Sequence, residues 1–134
     1  SMKNIALRTH KRCEFIDITR KVQEAVNECG VQNGGVMVFV PHTTAGVTIN
    51  ENADPSVVDD LLDSLGRLVP ESGSYRHSEG NSDAHCKASL MGNSVLVPVK
   101  NGELAMGRWQ GIYFCEFDGP RSRQFQVVNP AVAQ

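Results

Sequence analysis

At 134 residues, with 40% hydrophobic and 21% charged side chains, the chain has the size and make-up of one folded domain over 1–134. A formal net charge of −2, with acids and bases interleaved, argues against a general nucleic-acid binder, which would carry a basic stripe. No apolar run approaches the roughly 20 residues that cross a bilayer, and Ser1 to Thr9 lacks the charged start and apolar core of a secretory signal, so no membrane role and a cytoplasmic setting are expected.

The first element is a half-buried strand over Met2 to His10, where Ile5 and Leu7 alternate with polar neighbours. A helix follows: Ile18, Val22, Ala25, Val26 and Cys29 recur at helical spacing, Asp17 caps the start and Gly30 ends it. Val36 to Val40 is a short apolar run bounded by Gly34-Gly35 and Pro41, which predicts a central strand buried on both faces. Val47 and Ile49 alternate with Thr48 and Asn50 in another strand. Asp54-Pro55 then opens a second helix that buries Val58, Leu61, Leu62 and Leu65. Pro70 to Asp83 has almost nothing to bury and reads as a long loop.

Beyond that loop the pattern is strand-rich. Ser94 to Val99 and Leu104 to Met106 form a hairpin around Asn101-Gly102, which suits two positive-φ positions. Trp109 to Phe117 and Gln124 to Val128 add two strands, joined through Asp118-Gly119-Pro120. About seven strands against two main helices predict an α+β domain with a largely antiparallel sandwich. Cys13, Cys29, Cys86 and Cys115 are far apart and contain no C-x-x-C pair, so reduced thiols are expected, with Cys29 and Cys115 in the core.

Three polar segments interrupt this pattern. His42, Thr43 and Thr44 leave the predicted central strand, and Asn50, Glu51 and Asp54 precede a helix start that favours anions. In the second segment His77, Glu79, Asn81, Asp83 and His85 occupy every second position. An extended run would turn them to one side as nitrogen and oxygen ligands, whereas a solvated loop would carry them incidentally. In the third, Glu116 shares a face with Ile112 and Phe114, so it is expected to be partly buried and to need a partner. Arg121 and Arg123 either pair with Glu116 or Asp118, or clamp a phosphate.

The strings HTTAGVTINENADP, EGNSDAHCKASLMG and GRWQGIYFCEFDGPRSR, in this order, resemble the signature segments of the YjbQ-like family of small uncharacterised proteins. That resemblance implies an α+β sandwich assembled as a homotrimer in the cytoplasm. For some members it also implies a secondary thiamine-phosphate synthase activity, which joins a pyrimidine diphosphate to a thiazole phosphate. It places His42, Thr43, Thr44, Asn50, Glu51 and Asp54 in the first motif, and His77, Asn81 and His85 in the second. Trp109, Gln110, Glu116 and Arg123 fall in the third, and Arg108 departs from the small hydroxyl residue usual before Trp-Gln.

Residues and resemblance together predict an enzyme acting on a small phosphorylated molecule. In this reading His42, His77 and His85 hold a divalent metal (zinc, manganese or magnesium), and Glu116, Glu51 and Asp54 are catalytic. Thr43, Thr44, Asn50, Asn81, Lys87, Gln110, Arg121 and Arg123 then meet the substrate. The alternatives are a metal-dependent hydrolase of a phosphorylated or acyl substrate, and a non-catalytic trimeric ligand-binding protein.

Overall fold

A computed structural model describes residues 2–130. Among them the order is β1 (Met2–Arg8), β2 (Glu14–Asp17), α1 (Thr19–Cys29), β3 (Gly34–Phe39), β4 (Ala45–Glu51), α2 (Pro55–Leu68), α3 (Ser82–Met91), β5 (Ser94–Lys100), β6 (Glu103–Leu104), β7 (Gln110–Glu116) and β8 (Ser122–Val128). The fold is α+β, with eight strands and three helices where the sequence pattern predicts seven and two. The additions are β2, four residues long, and α3.

Every strand pairing is antiparallel. One sheet has the order β1-β8-β3-β5-β6 and the other β2-β7-β4. The main core lies between them. Val36, Val38, Val97, Phe125 and Val127 of the larger sheet meet Val47, Ile112 and Phe114 of the smaller, and Val22, Ala25 and Val26 of α1 close one side. Full burial of each such large apolar side chain is worth about 1.5–3 kcal/mol. A second cluster covers the other face of the smaller sheet, where Tyr113, Cys115 and Phe117 pack against Leu65 of α2 and Ala84 and Ala88 of α3.

Local chemistry sets the boundaries. Asp17 Oδ1 accepts from the Thr19 amide at 2.9 Å, and Gly30, at φ 71°, ends α1 by donating to Val26 O. Asp54 Oδ1 accepts from the Ser56 amide at 2.9 Å, with Pro55 in the first turn of α2. Asn101 and Gly102, at φ 51° and 78°, make the tight β5–β6 turn. The expected alternation through 77–85 is corrected, since Ser82–Met91 is helical and Asp83 and His85 do not lie on one strand face.

The larger sheet is one-sided. Val36, Val38 and Val40 are buried, while Met37 and Phe39 on the opposite face are only half-buried, which corrects the expectation that β3 is covered on both faces. Met37 stands in register with Leu96 on one side and Val128 on the other, and Val128 with Met2. These residues form an apolar band across the outer face, with Leu96 69% and Met2 54% exposed. No helix among the described residues is long and apolar enough to cross a membrane.

Candidate functional site

The chain leaves β3 and crosses to the smaller sheet through Pro41 to Thr44. Val40 pins the start of that crossing by donating its amide to Asn93 O at 2.8 Å. His42 is anchored through Nε2, which lies 3.1 Å from the Gln124 carbonyl and 3.0 Å from the Gln124 amide; donating to the carbonyl puts the ring proton on Nε2 and leaves Nδ1 with its lone pair. Burial, and then the charge of Arg123, lower the His42 pKa from 6.5, against smaller opposing effects of the Gln124 bond and Glu116. The ring is therefore neutral at neutral pH, the form that binds metals or accepts a proton.

Opposite it stands α3, which packs directly on β4. Gly46 permits this approach, since a Cβ there would sit 2.6 Å from Gly92 O. The Asn81 carbonyl accepts from the Ala84 and His85 amides at the helix start, and the His85 ring meets His77 edge-on with centroids 5.2 Å apart. Between crossing and helix lies a cleft of about 590 Å³ lined by His42, Thr43, His85, Ser89 and Asn93, among others. His42 and His85 thus share one cavity, whereas His77 does not line it and lies against His85 and 3.8 Å from Glu79. Ser89 and Asn93 are absent from the sequence-based set, and Ser89 becomes visible only once α3 is known to be a helix that puts it one turn after His85.

Several expected site residues are committed elsewhere. Glu116 is fully buried, and its carboxylate accepts from Thr9 Oγ1 (2.7 Å), from the amides of Phe117 and Asp118, and from Nε (2.8 Å) and Nη2 of Arg123. Arg123 Nη2 also donates to the carbonyl and hydroxyl of Thr44. Of the two readings of this pair, geometry takes the ion pair: Glu116 has no free face for catalysis and Arg123 none for a phosphate. Burial alone would raise the Glu116 pKa, but Arg123, the Asp118 amide and Thr9 outweigh it and hold the acid below 4.5.

Lys87 is similarly spent. It is buried and donates to Asp83 at 2.8 Å, and Asp83 also meets Arg12 at 3.1 Å. Asn81 turns its amide nitrogen to Asp118 at 2.9 Å. Arg121 pairs with Asp118 at 3.0 Å, yet its side chain remains 50% exposed, so it alone of the three expected cations is open to solvent.

The rest of the first motif lies at the far end of β4. Ala45 pairs with Glu116 and Glu51 with Gln110 along the same ladder, so the ends of β4 are roughly 20 Å apart at 3.3 Å per residue. At the distal end Asp54 caps α2, and Ser56 holds its carboxylate below 3.8. Gln110 Oε1 accepts from the Gly107 amide, and Asn50 Oδ1 from the Glu51 amide. Arg108 lies 5.0 Å over the exposed Trp109 ring, which stands outside β7. The Glu51 carboxylate takes no hydrogen bond or ion pair among the described residues. Within one chain, Asn50, Glu51, Asp54 and Gln110 do not join the histidines, and no three His, Cys, Asp or Glu side chains among the described residues are grouped to hold a metal.

A family model described as UPF0047 protein YjbQ-like matches residues 3–129. UPF0047 protein MJ1081 of Methanocaldococcus jannaschii is 51% identical over 121 residues, covering 90% of this chain and 88% of that protein. UPF0047 protein YugU of Bacillus subtilis is 52% identical over 123 residues, covering 91% and 93%. The crystal structure of a conserved YjbQ/UPF0047 protein from Clostridium acetobutylicum superposes with a TM-score of 0.92 at 55% identity, covering 94% of this chain and 98% of that one.

Proposed function

The chain belongs to the UPF0047 YjbQ-like family, and from that premise we propose that it is a metal-dependent enzyme acting on small phosphorylated molecules in the His42 cleft. Group transfer of the thiamine-phosphate synthase kind is the specific reaction. The observation that carries this reading is that His42 and His85, far apart in sequence, line one cavity with the hydroxyls of Thr43 and Ser89 and the amide of Asn93. No Lys or Arg lines that cavity. A divalent metal (zinc, manganese or magnesium) would supply the positive charge that a phosphate or a departing pyrophosphate requires. Arg121, close enough to lower the His42 pKa, extends the positive field at the edge.

The donors of one chain fit a metal only in part. Two imidazoles face the cavity, one short of the three protein ligands of a catalytic zinc. We further propose a homotrimeric assembly, supported by the uncovered band around Met37 and Leu96. We propose a cytoplasmic setting, in which thiols such as those of Cys13, Cys86 and Cys115 stay reduced.

Metal analysis of protein purified without chelator is expected to find bound metal. Zinc, manganese or magnesium should raise the melting temperature, and His85→Ala should abolish both effects while remaining folded. Protein free of metal, with melting unmoved by all three ions, overturns the reading. Given a phosphorylated pyrimidine and a thiazole phosphate, product that forms only when both are present supports transfer, and phosphate release without an acceptor supports hydrolysis. A second reading, a non-catalytic assembled binding protein, draws on the commitment of Glu116 and Arg123 to each other. It predicts that His85→Ala disturbs assembly and leaves ligand binding unchanged.

A further inference from the structure

The His42 cleft offers two imidazoles and no carboxylate. Two histidines with one glutamate are a recurrent catalytic zinc set. At the distal end of β4, Glu51 presents the complementary group: the carboxylate of a half-buried residue, which takes no hydrogen bond or ion pair among the described residues and has the Tyr113 phenol within its field. The continuous ladder with β7 holds these two ends apart, so the chain cannot close the gap by itself.

Two surface features show how a second copy would close it. The apolar band of Met2, Val128, Met37 and Leu96 is uncovered, and the next row, Phe39 beside Ser94, adjoins the cleft rim at Asn93. A partner seated on the band therefore reaches the cleft mouth. The distal end is also acidic, with Asp17 and Asp54 near Glu51, and it complements an imidazole-lined cleft that lacks acids. Contact between two different ends of the same chain is heterologous, and it closes into a ring when the rotation between copies is one third of a turn, as the proposed trimer requires.

We infer that the metal site is shared between copies, with His42 and His85 supplied by one chain and Glu51 by the next. This rests on the reading of the His42 cleft as a metal site. Zinc alone is the probe, measured as zinc retained per chain after gel filtration. His85→Ala removes a ring from the wall of the cleft without breaking a side-chain hydrogen bond, and Glu51→Gln keeps the shape of a side chain that takes no hydrogen bond or ion pair among the described residues, so both variants should fold.

Each variant alone is expected to lose zinc. When the two are unfolded together in equal amounts and refolded, about one quarter of the wild-type zinc should return. An intact site needs a Glu51→Gln chain followed by a His85→Ala chain, and random pairing in a ring gives half of a half. A folded Leu96→Glu variant that runs as a monomer should hold no zinc. Retention of zinc by Glu51→Gln or by the Leu96→Glu monomer, or no recovery on mixing, overturns the shared site while the single-chain site stands. Wild-type protein that holds no zinc, and whose melting manganese and magnesium also leave unmoved, overturns both.

Discussion

Glu116 is the most tightly held acid in the molecule, and its neighbours make it answerable for stability rather than for chemistry. Arg123→Met strands a buried carboxylate and removes both bonds to Thr44, so a loss of about 3–5 kcal/mol is expected in urea unfolding at pH 7. Because the native pKa of Glu116 lies below its ordinary 4.5, its contribution is complete above that pH and disappears as the pH falls through the lower native value. Glu116→Gln should therefore flatten the loss of stability of the wild-type protein below pH 4.5, as read from unfolding midpoints across the acid range. An unchanged acid profile would mean that other carboxylates dominate. The burial of this acid is legible in the sequence, because it shares a two-residue period with Ile112 and Phe114. Its choice of Arg123 is not, since a face assignment says nothing about which of two nearby arginines turns inward.

At the level of elements, the cleft depends on α3 lying against β4 with almost no space between. Gly46→Ala places a methyl group 2.6 Å from Gly92 O and 3.1 Å from Met91 Cβ, so helix and strand must separate. A cost of about 1–3 kcal/mol is expected, read as a lowered melting temperature, together with weaker metal retention if the cleft widens. Sequence periodicity misses α3 for a physical reason. Its buried face is made of Ala84 and Ala88 beside the internally paired Asp83 and Lys87, so no large apolar stripe marks it. α1 and α2 are legible because each has an apolar stripe and an aspartate at its start. Of the stripe expected to be buried in α2, however, only Leu65 is, with Val58, Leu61 and Leu62 half-buried on a helix that faces solvent on most sides. The two-residue β5–β6 turn was legible because Asn-Gly tolerates the positive φ values it adopts.

For the whole molecule, the α+β class follows from turn chemistry and alternation, but the layout of the site does not. The string from His42 to Asp54 reads as one motif, yet β4 runs through its middle and delivers its halves to opposite ends. Linear proximity was a poor guide because an extended strand is the longest path a short segment can take. If copies assemble on the Met37–Leu96 band, the melting temperature should rise with protein concentration, and Leu96→Glu should remove that dependence. A melting temperature independent of concentration for both would leave the band without a partner.

The smaller sheet has the order β2-β7-β4, so β4 is an edge strand seven residues long. An edge of that length invites strand-on-strand stacking between molecules and, in time, fibres. Near its start the Val47 amide is already occupied by Gly92 O. Its finish carries an amide and a charge, Asn50 and Glu51, which discourage a foreign strand from docking. The same polar terminus that suggests chemistry thus also helps keep the protein dispersed.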